Sequence, residues 1–151
     1  MTDERTNPEQ ADRGAHSPRE ERIEARLHAL HRAKAAESRQ ASELLKSFAR
    51  RALAAGIPTV RLKARAYSGD ARYKTDVEGW YLRRDQSVGV DAKGRFYVLA
   101  VPSSLTARVT GVTLAPSDPP MELGRGARDG ESMPLPDAID MRLAAGTDYP
   151  E

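Results

Sequence analysis

Both ends of a long helix are marked in this sequence. Ser17 is a favourable N-cap, Pro18 suits the first helical position, and Glu20 completes the S-x-x-E pattern in which side chains satisfy unpaired backbone N–H groups. Gly56 permits the left-handed conformation that ends many helices. Because no intervening residue has to break a helix, we predict helical structure over residues 18–55, as one helix or as two.

The two halves of this predicted helix differ in apolar content. The second half carries a broad apolar stripe at helical spacing, so it is predicted to pack on a core. The members of this stripe are Ala41, Leu44, Leu45, Phe48, Ala52 and Leu53. The first half has only a thin stripe of Ile23, Leu27 and Leu30, too short for a coiled coil, which needs roughly three or four heptads. This stripe is predicted either to pair with a partner helix or a second copy, or to lie loosely on the domain.

From residue 57 onward the apolar period changes from helical to alternating. Residues 60–66 alternate apolar side chains with Arg61, Lys63 and Arg65. A period of two is typical of a strand with one buried face. We therefore predict a half-buried strand whose exposed face is cationic.

The rest of the chain is predicted to form a meander and a loop-rich end. Gly94 supplies the positive φ that a hairpin turn between residues 87–91 and 95–101 needs. Residues 95–101 are apolar at both alternating sets of positions, which is typical of a central strand covered on both faces. The other predicted elements are a loop at 67–76, strands at 77–83 and 109–114, and a short helix at 136–145 closed by Gly146.

These elements predict an α+β fold, with a long N-terminal helix followed by a small antiparallel β-meander and a loop-rich C-terminal segment with a short helix. The absence of βαβ alternation argues against a Rossmann-like nucleotide-binding fold. The predicted organisation is a disordered tail at 1–16, a helical arm at 17–40, a single α+β domain at 41–146 and a C-terminal tail at 147–151.

Composition excludes several kinds of site. The 151 residues include no cysteine, which excludes disulfides, thiolate metal sites, Fe–S clusters and a cysteine nucleophile. No apolar run approaches the roughly 18–20 residues of a membrane span, and no apolar stretch follows the N-terminal residues as in a secretory signal. We therefore expect a cytoplasmic protein without a membrane partner. Arginine supplies 19 of the 24 basic residues, a bias typical of GC-rich bacterial genomes.

Charge is distributed unevenly along the chain, although the net charge is only +2. Residues 1–22 carry a net charge of −2, residues 23–115 carry +9, and residues 116–151 carry −5. A basic centre between acidic ends predicts either binding of an acidic ligand such as nucleic acid, or an acidic C-terminal segment that folds back on the basic surface. The second interpretation is favoured for a small domain, and the first stays open.

The sequence argues against several active sites. Lys46 follows helical residues rather than the glycines of a phosphate-binding loop, and no G-x-S-x-G nucleophile elbow is present. The histidines, His16, His28 and His31, lie in the predicted tail and arm, away from any catalytic triad. Glu24 shares a helix face with the last two of them, but without a fourth ligand this set predicts solvated helix surface rather than a metal site. We expect no metal and no cofactor.

Cationic and aromatic residues coincide in the middle of the chain. The candidate nucleic-acid or partner surface consists of Arg61, Lys63, Arg65, Arg72, Lys74, Arg83 and Arg84. The aromatic residues among them are Tyr67, Tyr73, Trp80, Tyr81, Phe96 and Tyr97. Cations contact phosphates and aromatic rings stack on unpaired bases, so a sheet face with both suits single-stranded nucleic acid. The favoured alternative, since no RNA-binding signature is present, is that the aromatic residues fill the core and the arginines form a solvated face.

Residues 124–132 form the most distinctive local segment. Its glycines allow close backbone approach, and Arg125 and Arg128 are able to hold an anion or a carboxylate. Asp129 and Glu131 argue against a simple phosphate cradle, because they can pair with the two arginines instead. The segment is therefore either a ligand or partner loop or a self-paired loop.

We therefore expect a small non-enzymatic binding or regulatory protein that acts through protein–protein contacts. Its partner face would be the stripe of Ile23, Leu27 and Leu30 on the helical arm. One alternative is a nucleic-acid- or ribosome-associated factor that uses a basic, aromatic-rich sheet face. The other is an enzyme with a site around residues 124–132.

Overall fold

A computed structural model describes residues 17–124 and 132–150. It confirms the predicted α+β fold, with a long N-terminal helix, a mostly antiparallel five-stranded sheet and a short C-terminal helix. The predicted disordered tail at 1–16 lies outside the described residues. The helices are α1 (Pro18–Ala54), α2 (Leu105–Thr110) and α3 (Leu135–Ala145). The strands are β1 (Val60–Ala66), β2 (Arg72–Tyr81), β3 (Val88–Asp91), β4 (Phe96–Val98), β5 (Ala100–Val101), β6 (Glu122–Leu123) and β7 (Met133–Pro134).

The predicted caps set both ends of α1. Glu20 N donates to Ser17 Oγ at 3.2 Å, and Ser17 N donates to Glu20 Oε2 at 3.4 Å, so each side chain satisfies the other's backbone. At the other end Gly56 adopts a φ of 72°. Of the two predicted forms, one helix or two, the structure has one helix of 37 residues.

Residue contacts divide the chain into two units, Met1–Ala36 and Glu37–Glu151. In the first unit every described residue is exposed. The stripe of Ile23, Leu27 and Leu30 is 50, 50 and 58% exposed. Within this unit the described residues therefore leave the stripe uncovered.

The five-stranded sheet closes on itself. Its strand order is β4-β3-β2-β1-β5, with β5 parallel to β1 and the other neighbours antiparallel. A single residue, Leu99, separates β4 from β5, so the two ends of this order are adjacent in the chain. Leu99 N donates to Ser87 O, and Arg65 N donates to Leu99 O, both at 2.9 Å. The segment 96–101 therefore pairs with β3 at its start and with β1 at its end.

The prediction of a central, doubly covered strand over 95–101 is wrong. The segment contributes β4 and β5 to opposite ends of the strand order, and Val98 is 46% exposed. Phe96 packs in the core cluster shared with α1, whereas Tyr97 and Leu99 pack in a second cluster inside the sheet. A segment that passes between two apolar clusters carries the same sequence pattern as a strand covered on both faces.

Two further predictions are corrected by the structure. The loop predicted at 67–76 is too long, because β2 already begins at Arg72. The strand predicted at 109–114 is wrong, because α2 extends to Thr110 and Val112 then forms an isolated bridge with Thr75. The secondary structure of both segments depends on contacts with residues far away in the chain. The local hydrophobic period does not indicate these contacts.

Three other predicted elements are confirmed. The strand predicted at 60–66 is β1. Gly94 has a φ of 81° in the turn between β3 and β4, and a Cβ there would lie 2.7 Å from Lys46 Cα on α1. Glycine is thus required by the turn and by the approach of the helix. The predicted C-terminal helix is α3, which ends at Gly146.

The main core forms where α1 packs on the sheet. The buried residues of α1 are Ala41, Leu45, Phe48, Ala49 and Ala52. Trp80 of β2 is 1% exposed, and its ring meets Phe48 edge-on with centroids 5.6 Å apart and planes at 80°. Trp80 Nε1 also donates to Ile57 O at 3.1 Å. This side chain therefore ties together α1, the connection that follows it and β2.

Candidate functional site

The exposed side of β1 and β2 concentrates positive charge. Along β1, Arg61, Lys63 and Arg65 are exposed, as the period of two predicts. The antiparallel register places Lys63 opposite Lys74, and Arg65 opposite Arg72. Side chains directly opposite on one face have Cβ atoms about 4.5–5.5 Å apart, and like charges there destabilise the pairing. We call the set the cationic face; its members are Arg61, Lys63, Arg65, Arg72 and Lys74.

Two members of the cationic face have polar partners. Arg61 Nη2 donates to Glu78 Oε1 at 3.0 Å. Arg72 Nη2 donates to the neutral Gln86 Oε1, which orients the guanidinium without neutralising it. The other three members form no ion pair with any described residue. The face therefore keeps most of its charge.

Helix α2 is fixed to β2 at both of its ends. Its N-cap residue, Ser104, donates its backbone N–H to the Tyr73 hydroxyl at 3.0 Å. At the other end Gly111 has a φ of 77°, and a Cβ there would lie 2.8 Å from Lys74 O, so glycine is needed for both reasons. Val112 N then donates to Lys74 O at 2.8 Å. These contacts hold α2 beside the cationic face.

A groove of about 560 Å³ lies between the cationic face and α2. Among the described residues, Asp76 is the one carboxylate that lines it, and Asp76 Oδ1 already accepts a hydrogen bond from Leu114 N at 3.0 Å. A cleft lined by one sign of charge concentrates ligands of the opposite sign. We call it the cationic groove. The cations that line it are Arg61, Lys63, Arg72, Lys74 and Arg108.

The acidic C-terminal segment does not line the groove with any described residue. The described lining ends at Thr113, before the acidic stretch 116–151 begins. Asp118, Asp137 and Asp140 are exposed to solvent. Within the described residues this segment therefore does not cover the cationic groove.

Arg83 and Arg84 lie apart from the cationic groove. They line a smaller cavity of about 200 Å³ together with Tyr149 and residues of α3. The guanidinium of Arg84 is 5.2 Å from the centroid of the Tyr149 ring, and that of Arg142 is 4.1 Å from it. Burial lowers the pKa of Arg142, and Tyr149 partly opposes this shift. Arg84 thus contacts the packed C-terminal end rather than the exposed sheet face.

Most of the aromatic residues in the middle of the chain fill the interior. The buried ones are Tyr73, Trp80, Tyr81, Phe96 and Tyr97. Of the six, Tyr67 alone is exposed, at 72%. The outer face of the sheet is therefore cationic but not rich in aromatic residues. Contacts with nucleic acid on this face would be made mainly to phosphates, which position a ligand without reading its sequence.

The carboxylate of Asp91 anchors the hairpin between β3 and β4. It accepts from Lys93 N at 3.0 Å, from Arg95 N at 2.9 Å, from Arg95 Nε at 2.6 Å and from the Tyr97 hydroxyl at 3.0 Å. Burial alone raises the pKa of Asp91, but these hydrogen bonds outweigh burial and hold the pKa below its ordinary value. A carboxylate that already accepts from four donors stabilises the turn rather than moving a substrate proton.

Helix α2, which brings Arg108 to the cationic groove, was not predicted from the sequence. Ser104 and Gly111 are a good N-cap residue and a helix-ending glycine at the spacing of a short helix, so the signals for α2 are present in the sequence. The apolar residues at 109–114 compete with these signals, because their pattern resembles a strand. Tertiary contacts decide between these two local patterns.

Three further predictions concern the loop at 124–132, a metal site and a membrane span. The candidate loop of Arg125, Arg128, Asp129 and Glu131 lies outside the described residues. Within 17–124 and 132–150 there is no group of three or more His, Cys, Asp or Glu side chains placed to hold a metal ion. In the same ranges no helix combines the length and the apolar composition that a membrane span requires.

No protein-family model matches this chain, and no curated protein or solved structure is significantly similar to it.

Proposed function

We propose that this chain is a non-enzymatic cytoplasmic protein that binds the phosphate backbone of nucleic acid in the cationic groove. The observation that carries the proposal is the pair of like-charged rungs, Lys63 opposite Lys74 and Arg65 opposite Arg72. Each rung costs stability in the free protein. A bound polyanion relieves this repulsion, so the arrangement favours an anionic ligand.

The position of the cations favours an extended polyanion over a single small anion. The two rungs follow one another on the exposed face, two residues apart along each strand, which is about 6.7 Å. Arg108 adds a cation from the α2 side of the groove. Cations spread along a groove and on both of its sides suit a chain of phosphates, each of which releases counterions when it is neutralised.

The affinity of the protein for an oligonucleotide is expected to fall steeply with salt. For single strands the slope of log K against log salt concentration is about −0.7 per phosphate contact, so four contacts give a slope of about −3. Fluorescence anisotropy of labelled oligo(dT), titrated with the full chain at several KCl concentrations, measures this slope. Absence of binding at low salt, or an affinity that does not change with salt, contradicts the proposal.

A protein-partner role for the helical arm is the second candidate function. Ile23, Leu27 and Leu30 share one face of α1, and each is at least half exposed. Apolar side chains one turn apart at this exposure suit a partner helix, either of a second copy of this chain or of another protein.

If the arm pairs with a second copy, Leu27→Glu/Leu30→Glu should abolish self-association and leave the fold intact, because both side chains are exposed in their own unit. Sedimentation of the wild-type and variant chains over a range of concentrations measures this. Ala25→Glu/Ala36→Glu adds the same charges to the opposite face of α1 and is the matched control, with association expected to persist. A wild-type chain that stays monomeric at high concentration contradicts self-pairing.

A further inference from the structure

The three most exposed large apolar side chains of the described residues lie on two segments that meet at the start of α2, next to the cationic groove. Val109 is 88% exposed, Leu105 is 81% exposed and Tyr67 is 72% exposed. Val109 lines the groove, and Leu105 precedes it by one turn on the same face of α2. The hydroxyls of Ser68 and Ser103 are 2.9 Å apart, which places the turn after β1 beside the start of α2. We call Tyr67, Leu105 and Val109 the apolar rim.

The apolar rim and the cationic groove together define the chemistry of a ligand. A single exposed apolar side chain is ordinary on a protein surface, whereas neighbouring ones are more typical of a binding surface. A ligand that contacts both the rim and the groove needs negative charges with flat apolar surface next to them. Nucleic acid has this combination, because the phosphate backbone runs beside the faces of the bases.

We infer that the groove binds single-stranded rather than double-stranded nucleic acid, with the phosphates on the cationic face and unstacked bases against the apolar rim. In a duplex the base faces are stacked on one another, so the rim would meet only sugar and phosphate. In a single strand the faces are free to stack on an aromatic side chain such as Tyr67. The inference rests on the proposed nucleic-acid function and adds the class of strand and a second set of contacts.

The test compares oligo(dT) with the oligo(dT)·oligo(dA) duplex of the same length, at one salt concentration, on the full chain and its variants. The wild-type protein is expected to bind the single strand at least about tenfold more tightly than the duplex, and Tyr67→Ala to weaken single-strand binding about tenfold, the effect of losing one stacked base. Leu105→Ala/Val109→Ala should weaken it in the same direction. The salt slope should not change, because no phosphate contact is lost. Tyr67→Phe should recover the lost affinity, since stacking needs the ring and not the hydroxyl.

Two control variants remove apolar side chains of comparable chemistry from other surfaces. Leu53 is 54% exposed on α1 and Met141 is 55% exposed on α3, and neither lines the groove. Leu53→Ala and Met141→Ala are therefore expected to bind both oligonucleotides as the wild-type protein does. Thermal unfolding of every variant verifies that the fold is intact, which exposed positions allow.

The outcomes separate this inference from the function on which it rests. Equal binding of single strand and duplex, with the rim variants unchanged and Lys63→Glu abolishing both, overturns the single-strand inference and keeps the nucleic-acid function. Absence of binding to either oligonucleotide overturns both. Rim-dependent binding to phosphatidylcholine–phosphatidylserine vesicles without oligonucleotide binding also overturns both, because it assigns the groove and the rim to an anionic membrane surface.

Discussion

Lys63→Glu/Arg65→Glu should reduce nucleic-acid affinity at least about a hundredfold without lowering the stability of the protein. The binding loss follows because Lys63, which lines the groove, and Arg65, which follows it on the cationic face, both become anions where the proposal places phosphates. Stability should not fall, because each new carboxylate stands opposite a cation, Lys74 or Arg72. Like charges at these positions cost about 0.2–1 kcal/mol per rung and opposite charges contribute a similar amount.

The measurement pairs oligo(dT) affinity with thermal unfolding on the same samples. At about 2–4 °C per kcal/mol for a chain of this size, removal of the two repulsive rungs should leave the melting temperature equal or raise it by a few degrees. Arg39→Glu/Arg50→Glu makes the same change in net charge at exposed positions of α1 that do not line the groove. If this control loses as much affinity as the sheet variant, the binding is a general charge effect and the groove is not its site. A markedly lower melting temperature of the sheet variant would show that the rungs do not repel.

Trp80→Ala should leave little folded protein at ambient temperature. The side chain is 1% exposed, packs edge-on against Phe48 and donates to Ile57 O, so its removal opens a cavity between α1 and β2 and leaves a buried acceptor without its donor. Large-to-small substitutions of buried Trp cost about 3–5 kcal/mol. That is a large part of the about 5–15 kcal/mol by which a typical domain is stable.

Urea denaturation of three variants divides this effect into its parts. Trp80→Phe keeps an aromatic ring but removes the indole N–H, so it should cost about 1–3 kcal/mol for the unsatisfied Ile57 carbonyl plus the loss of volume. Tyr67→Ala removes an aromatic ring that is 72% exposed and should change stability by no more than about 0.5 kcal/mol. A Trp80→Ala midpoint close to that of Tyr67→Ala would show that the contact between α1 and the sheet does not hold the fold together.

The cations of β1 could be predicted from the sequence, but their partners across the sheet could not. Lys63 and Arg65 are exposed because residues of a strand alternate between its faces, which is a local property. Lys74 and Arg72 lie in a stretch that is polar at most positions, a pattern that predicts a loop. Their place opposite Lys63 and Arg65 depends on the register between β1 and β2, which shifts along the pair.

The apolar rim could not be predicted from the sequence for a related reason. Tyr67 continues the exposed positions of β1, but the predicted loop at 67–76 contains both Tyr67 and Tyr73, of which the structure buries the second. Leu105 and Val109 are apolar residues that sequence patterns assign to an interior. Their exposure follows from the attachment of α2 to β2 through Tyr73 and Lys74, because this attachment turns Ala107 inward and leaves the other two outside.

The sequence by itself determined the elements whose signals lie within a few residues of one another. Ser17 and Glu20 begin α1 because each side chain accepts a hydrogen bond from the other's backbone N–H. The alternating cations mark β1. Gly94 and Gly146 adopt the positive φ at which a hairpin turn and a helix end. The tertiary structure alone decided that 96–101 closes the sheet and that α2 forms one wall of a groove. These outcomes depend on hydrogen bonds between residues far apart in the chain, such as Arg65 with Leu99 and Lys74 with Val112. No local period or cap encodes such pairings, because they form only when the whole core is assembled.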